Sequence, residues 1–187
     1  TSNHVHLLVR PDPSGALESL SRLMQSLEGD FAQSYNRRKK RRNAFWGDRY
    51  HATMIDSGVH LWRCLLYIDL NMVRAGVVDD PKDWEWTAYR ELMGERRRYR
   101  LLDKAGLLDQ LGAGSEDAFM RNYAHELDAT IQRGELKREA KWTESLAVGS
   151  ASFIEKVGRQ IGNRMQVERR EDETDRSMWI LRESHDS

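Results

Sequence analysis

Two histidines lie two positions apart near the start of the sequence. His4 and His6 stand on either side of Val5, within the segment 3–10, where apolar residues alternate along the chain. A period of two predicts a strand over residues 3–10, and on a strand both imidazoles project from one face with Cα atoms about 6.6 Å apart. One metal ion could bridge them, since imidazole binds zinc, manganese, nickel and iron. A half-buried structural pair of histidines stays open as the alternative.

A second polar set lies within the segment 59–75, which is otherwise largely apolar. Its members recur at steps of three and four and therefore share one face of a helix: His60, Arg63, Tyr67, Asn71 and Arg74. On such a face an arginine can bind a phosphate through two hydrogen bonds, and a tyrosine hydroxyl can attack phosphorus that a metal polarises. Asn71, one turn beyond Tyr67, supplies an oxygen ligand. The same spacing also fits a solvent-facing stripe with an ordinary tyrosine.

The positive charge of the chain is concentrated in its first half. Residues 1–100 hold 17 Lys+Arg against 13 Asp+Glu, although the whole chain has 30 of each. Six consecutive cations form the densest part, namely Arg37, Arg38, Lys39, Lys40, Arg41 and Arg42. The first half is therefore the better candidate for binding a polyanion. Taken alone, the cationic run is also compatible with a solvated loop.

The composition excludes several classes of protein. A chain of 187 residues with 39% hydrophobic residues can bury a core, and its single cysteine, Cys64, excludes a disulfide framework or a zinc site built from several cysteines. The sequence contains no apolar run of the roughly 18 residues that a membrane span requires. We therefore expect a cytoplasmic protein with no membrane partner.

Periodicity and turn residues predict the order of the elements. An amphipathic helix follows Ser14 and extends to about Tyr35, and a second strand lies within 45–55. The helix over 59–75 ends before Gly76, which suits a left-handed terminal position. Shorter helices are predicted over 101–111, 116–133 and 152–164, and the tail from Glu168 is charged and weakly patterned.

Three ordered segments resemble the signature blocks of a known family. They are Asn-His-Val-His-Leu-Leu-Val at 3–9, Phe-Trp-Gly-Asp-Arg-Tyr-His at 45–51, and Tyr-Ile-Asp-Leu-Asn-Met-Val-Arg-Ala-Gly at 67–76. Together they resemble the REP-associated tyrosine transposases, which belong to the single-tyrosine group of HUH nucleases. The segment 84–89 is similar to the stretch that follows in the family. Three blocks in order are more specific than any one motif, whereas residues 100–187 match only loosely.

The resemblance implies a fold and a set of site residues. The fold would be α+β, a ferredoxin-like α/β sandwich with the histidine strand in its sheet and the tyrosine helix packed across it. Residues 1–95 would form the catalytic domain and residues 96–187 a helical C-terminal extension. The implied nucleophile is Tyr67. The implied ligands of a Mg²⁺ or Mn²⁺ ion are His4, His6 and Asn71.

The resemblance also implies an activity. Such an enzyme cleaves and rejoins single-stranded DNA that carries a hairpin, through a 5′-phosphotyrosine intermediate that leaves a 3′-OH, and acts as a monomer or a homodimer. From the helical stripe we infer that Arg63 and Arg74 steady neighbouring phosphates. The run 37–42 then becomes a loop that follows the phosphates without reading sequence.

The sequence departs from the family pattern, and two other functions stay open. Met72 stands where the family commonly has proline, and the chain starts at a position where a longer N-terminal region is expected, so we expect a truncated copy with some strands missing. One alternative is a decayed or domesticated copy that binds nucleic acid without cleaving it. The other makes the helices 116–133 and 152–164 a partner-binding or helix-turn-helix module.

Overall fold

The chain consists of two compact units. The computed structural model describes residues 4–11, 16–96, 98–162, 165–173 and 175–184, with side chains in the first helix described from residue 20. The small unit comprises Leu7–Ala52, and the large unit comprises Thr1–His6 with Thr53–Ser187. None of the helices within the described residues is long and apolar enough to cross a membrane.

A single long helix dominates the small unit. Helix α1 spans Ala16–Lys39, so the predicted amphipathic helix is present, although its expected start at Ser14 lies outside the described residues. The helix ends in two reversed hydrogen bonds, from the Lys40 N–H to the Arg37 carbonyl at 3.3 Å and from the Arg41 N–H to the Asn36 carbonyl at 2.9 Å. This pair of bonds is a Schellman motif, and Lys40 adopts the left-handed conformation that the motif requires, with φ of 52°. The cationic run is therefore half helix and half loop, not all loop.

The prediction of two strands in the first half is wrong for most of the residues concerned. Residues 4–10 form no strand, and Asn3 lies outside the described residues. The predicted strand 45–55 is reduced to β1, Met54–Ile55. A strand needs a neighbouring strand that pairs with its backbone groups. Residues 4–10 do not belong to the four-stranded sheet of the described residues, and Val5 and Leu7 are exposed. Alternation of residue types alone does not provide that neighbour.

The large unit is α+β, as predicted. Helices α2 (Val59–Asp69) and α3 (Asn71–Arg74) follow β1, and a 3-10 turn at Pro81–Asp83 leads to α4 (Tyr89–Leu92). The remaining elements are α5 (Lys104–Leu111), α6 (Glu116–Arg133), α7 (Lys141–Glu144), β2 (Ala147–Gly149), α8 (Ala151–Ile161), β3 (Val167–Glu171) and β4 (Trp179–Glu183). The four strands form one mixed sheet in the order β1-β2-β4-β3, with β1 parallel to β2 and the other pairs antiparallel. The histidine segment is not part of this sheet, which corrects the expected placement.

Capping residues explain where several predicted helices begin and end. Helix α6 has the predicted bounds because the Ser115 Oγ accepts from the Ala118 N–H at 3.2 Å and Gly134 closes the helix with φ of 68°. The helix predicted over 101–111 starts later, because Asp103 caps it through the Gly106 N–H. The helix predicted over 152–164 starts one residue earlier, because Ser150 is its cap; residues 163–164 lie outside the described residues.

Sequence patterning missed the strands of the second half. Strand β3 reads Val-Glu-Arg-Arg-Glu and lies at the sheet edge, where its side chains are mostly exposed. A charged edge strand shows no apolar alternation because it has no core to face. The predicted helices of this half are present, and three of the four strands accompany them.

Helix α2 is buried on two sides. On one side Leu65 packs in a cluster with residues of α3, α4 and α6, including Val73, Leu92, Phe119 and Leu127. On the other side Cys64 and Tyr67 pack with Trp142 and the sheet residues Val148 and Ile180. Residues on both sides of position 95 thus share one core, while the proposed domain division at that position stays a prediction.

A buried carboxyl group fixes the end of α2. Asp69 is 2% exposed and accepts hydrogen bonds from the hydroxyl of Thr87 and, at 2.7 Å, from the hydroxyl of Tyr123. Burial raises the pKa of Asp69, and the two hydrogen bonds oppose this shift only in part. The network connects the last turn of α2 to α6 and to the segment before α4.

We predict that Asp69→Asn gains stability relative to the wild type as the pH rises. The pKa of Asp69 in the folded state lies above its ordinary value of 3.8. The contribution of the protonated carboxyl group to the free energy of unfolding is therefore complete below pH 3.8 and is lost as the pH rises through the folded-state pKa. The free energy of unfolding, measured by urea denaturation across a pH series, should therefore diverge in favour of the variant. Exposed Asp109 provides the matched substitution Asp109→Asn, and curves that run parallel for wild type and Asp69→Asn would contradict the assignment.

Candidate active site

Tyr67 lies in a pocket of aromatic and cationic groups. It is in the last turn of α2, and its side chain is 5% exposed. The guanidinium of Arg74 lies 4.0 Å from the centre of the Tyr67 ring, within the range of a cation–π contact. The His6 ring meets the Tyr67 ring edge-on, with centroids 5.9 Å apart, and the Trp142 ring lies 6.1 Å away. The phenol is thus held by contacts from three separate parts of the chain.

The two histidines are adjacent to each other and to Tyr67. The His4 and His6 rings lie 5.0 Å apart at 81°. Burial lowers the pKa of His6 to about 4, with smaller contributions from His4 and Arg74. Burial is also the largest cause of the lowered pKa of His4, and the charges of Arg138 and Arg74 add to it. Both imidazoles are therefore neutral at physiological pH, the state in which an imidazole nitrogen can bind a metal.

Arg74 connects Asn71 to Tyr67. The Nη2 of Arg74 donates to the Asn71 Oδ1 at 3.0 Å and to the Tyr67 carbonyl at 3.4 Å. These contacts form because α3 begins at Asn71, and only Leu70 separates it from the end of α2. The spacing of three to four residues that places side chains on one helix face therefore continues from Tyr67 into α3. The amide oxygen of Asn71, expected to bind a metal, is here occupied by the arginine. A phosphate that binds Arg74 in place of Asn71 would leave the amide oxygen of Asn71 available to a metal.

Arg63 lies outside this cluster. Arg63 forms a salt bridge with Asp175 and a hydrogen bond of 3.5 Å to Ser177. The cationic run 37–42 belongs to the small unit. The structure therefore brings together His4, His6, Tyr67, Asn71 and Arg74 but not Arg63, and the chemical roles of all these residues stay predictions.

The sequence analysis missed Trp142 as a neighbour of Tyr67. Trp142 is the second residue of the short helix α7 in the second half of the chain, and no spacing rule connects it to position 67. Cys64, one turn before Tyr67, is not a second nucleophile, because burial raises the pKa of its thiol to about 12.

The histidine pair fits a divalent cation with few protein ligands. Two neutral imidazoles 5.0 Å apart can reach one ion through bonds of about 2 Å. No group of three or more His, Cys, Asp or Glu side chains suited to a metal occurs among the described residues. Further ligands would have to be oxygens of another kind, such as the Asn71 amide or a phosphate.

Comparison with known families supports a transposase assignment for the first part of the chain. Residues 1–71 match the family model described as IS200-like transposase. The match covers less than half of the 187-residue chain, so it shows that this segment is similar to that family. The matched range contains His4, His6, Tyr67 and Asn71, so the predicted resemblance to transposases is confirmed, while nothing in the match selects the REP-associated branch. Comparisons with curated proteins and with solved structures give no match.

We predict that Arg74→Met raises the pKa of His6 from about 4 towards its ordinary value of 6.5. The substitution keeps an unbranched side chain but removes a positive charge that disfavours the imidazolium. The imidazole proton signals of His6 in an NMR pH titration measure the change. Arg63→Met in helix α2 is the matched control, because Arg63 is paired with Asp175. An unchanged His6 titration in Arg74→Met would show that Arg74 does not act on the histidine pair.

Proposed function

We propose that this protein is a DNA transposase that cuts and rejoins single strands, with Tyr67 as the nucleophile. The observation that carries the proposal is the contact of Tyr67 with His6, because it joins the first and third signature blocks at one point in space. A structural stripe on a helix surface would leave the tyrosine exposed, whereas this phenol is 5% exposed and surrounded by neutral imidazole, guanidinium and indole groups.

The proposed step is a transesterification at phosphorus. The Tyr67 oxygen forms a bond to the phosphorus of a DNA phosphodiester, and the bond from that phosphorus to the 3′-oxygen breaks. The phenol loses its proton and the leaving 3′-oxygen takes one up, so the step needs no co-reactant. It yields a 5′-phosphotyrosine and a 3′-OH, and the reverse attack by a 3′-OH rejoins the strand. The phosphodiester energy is kept in the covalent intermediate.

Arg74 is suited to bind the phosphate and to offset its developing charge. Its guanidinium already lies over the Tyr67 ring and has N–H groups directed at Asn71 and the Tyr67 carbonyl. The pKa of Arg74 is lowered by burial, so its charge is poorly solvated and a phosphate would be a stronger partner than the neutral amide. Arg74 can exchange Asn71 for a phosphate oxygen without moving away from Tyr67.

His4, His6 and Asn71 would hold the Mg²⁺ or Mn²⁺ ion of the proposed site. A divalent cation there supplies Lewis acidity at the phosphate oxygens. The nearby charges of Arg74 and Arg138 oppose a lone cation, although Arg138 is paired with Glu144. No group of three or more His, Cys, Asp or Glu side chains among the described residues would offset that repulsion by binding the ion. The site therefore favours a phosphate as an additional ligand, which couples metal binding to DNA binding.

The substrate proposed from the family resemblance is single-stranded DNA with a hairpin. The exposed run 37–42 supplies electrostatic affinity for its backbone. Arg63 can join in phosphate binding only if it leaves Asp175, so we assign the larger part to Arg74.

We predict that Tyr67→Phe abolishes a covalent protein–DNA adduct that the wild type forms. The substitution removes the attacking oxygen and retains the ring that packs against Arg74 and Trp142. A labelled hairpin oligonucleotide incubated with Mn²⁺ and resolved under denaturing conditions reveals the adduct as a shifted band. Tyr99→Phe is the control, since Tyr99 is 84% exposed.

Two outcomes would contradict the proposal. An adduct that persists in Tyr67→Phe would place the nucleophile elsewhere. A wild-type chain that binds the oligonucleotide but forms no adduct would favour the alternative of a binding protein without cleavage.

A further inference from the structure

Four aromatic rings form a cluster within the small unit. Phe31 and Tyr35 lie one turn apart on α1, with centroids 6.2 Å apart and rings nearly parallel at 20°. Phe45 approaches both of them, at 5.0 Å from Phe31 and 4.7 Å from Tyr35. Trp46 completes the set, 5.7 Å from Phe31 and 4.8 Å from Phe45. We call these four residues the aromatic cluster.

The aromatic cluster is anchored on one side and open on the other. The indole N–H of Trp46 donates to the Glu28 carbonyl at 2.9 Å, which ties the segment after α1 back to the helix. Phe31 is nevertheless 48% exposed. A large apolar ring with half of its surface in water is costly in a folded protein, at roughly 25 cal/mol per Å² of apolar surface. This open ring is therefore available as a contact surface.

The cationic run begins at the edge of the aromatic cluster. The guanidinium groups of Arg38 and Arg41 lie 5.7 Å and 5.8 Å from the centre of the Tyr35 ring. The Schellman motif at Lys40 turns the chain so that one arginine from the helix and one from the loop meet the same ring. All six cations are exposed, and none forms a salt bridge with an acidic side chain among the described residues.

We propose that the aromatic cluster is a stacking site for an unpaired base of single-stranded nucleic acid. The base would stack on the exposed ring of Phe31, while Arg38 and Arg41 bind the phosphates on either side of it. Aromatic rings beside a cationic groove are the combination by which single strands are bound without sequence readout. An acidic protein partner would use the charges but gain little from an open π-face, and a duplex keeps its bases stacked inside. The proposal rests on the proposed function for the identity of the ligand as DNA.

The stacking site differs from a cationic loop in one measurable way, because it requires bases. A purely electrostatic surface binds any chain with the same spacing of phosphates. The test compares a 12-nucleotide oligothymidylate with an abasic phosphodeoxyribose chain of the same length. Fluorescence anisotropy with the full chain gives both affinities, at several salt concentrations.

We predict that the wild type binds oligothymidylate roughly tenfold more tightly than the abasic chain, the effect of one stacked base. Phe31→Leu keeps an apolar side chain of similar size but has no π-face, and should reduce the ratio to less than twofold with the salt dependence unchanged. The double variant Arg38→Gln/Arg41→Gln should weaken both ligands and reduce the slope of log affinity against log salt by about 1.4. Trp86→Leu is the control, since Trp86 is a 75% exposed aromatic residue of the large unit.

The outcomes separate this proposal from its rivals. Equal affinity of the wild type for both ligands, or an unchanged ratio in a folded Phe31→Leu variant, would overturn it. If Phe31→Leu unfolds, Phe31→Met replaces it, and Phe31→Tyr should retain the ratio in either case. A dimer that dissociates in Phe31→Leu while the ratio persists would assign the surface to a second copy. Tyr67→Phe should leave the ratio intact, so a failure of cleavage and a failure of stacking are told apart.

Discussion

The position of Tyr67 depends on the burial of α2 on two sides. Leu65 packs into the helical cluster and Tyr67 into the cluster that includes Val148 and Ile180 of the sheet, so the helix cannot turn about its axis without exposing one set. Asp69 adds a directional constraint, because its hydrogen bonds to Thr87 and Tyr123 fix the last turn. If Tyr67 is the nucleophile that we propose, its attachment to such an element reduces the reorganisation that the reaction requires. The second half of the chain, which lies outside the matched family segment, supplies much of this support through Phe119, Trp142 and β2.

The electrostatics of the tyrosine site favour an anionic ligand. Neutral histidines, a half-buried arginine and an indole surround the phenol. The carboxyl group nearest in sequence is that of Asp69, which is hydrogen-bonded to Thr87 and Tyr123 and has a raised pKa. A phosphate satisfies Arg74 and adds the oxygen ligands that a cation at the histidine pair would lack. The small unit also combines cations with aromatic rings, but its cations and the ring of Phe31 are exposed, whereas Tyr67 is buried. Both units thus combine cationic and aromatic groups, and we propose that one acts in chemistry and the other in affinity.

Local sequence signals predicted the helices better than the strands, whereas the roles of the site residues stay predictions. Spacing of three and four placed Tyr67, Asn71 and Arg74 on connected turns, and capping residues such as Ser115 and Gly134 gave the bounds of α6. The strand expected at residues 4–10 is absent because alternation cannot show whether a partner strand is available, and β3 was missed because an exposed edge strand needs no apolar pattern. The contact of His6 with Tyr67 was expected only from the family resemblance. Trp142 could not have been found at all, since it reaches Tyr67 through tertiary packing alone.

The central claim is that the histidine pair and the phenol of Tyr67 share one metal site. Paramagnetic broadening by Mn²⁺ tests it in the full chain carrying ¹³C-labelled tyrosine rings, whose six signals are assigned by single Tyr→Phe substitutions. The ring signal of Tyr67 should broaden at the lowest Mn²⁺ concentration, and His6→Ala should remove this effect. Broadening that reaches the other five tyrosines first, or that persists for Tyr67 when His6 is replaced, would contradict the account.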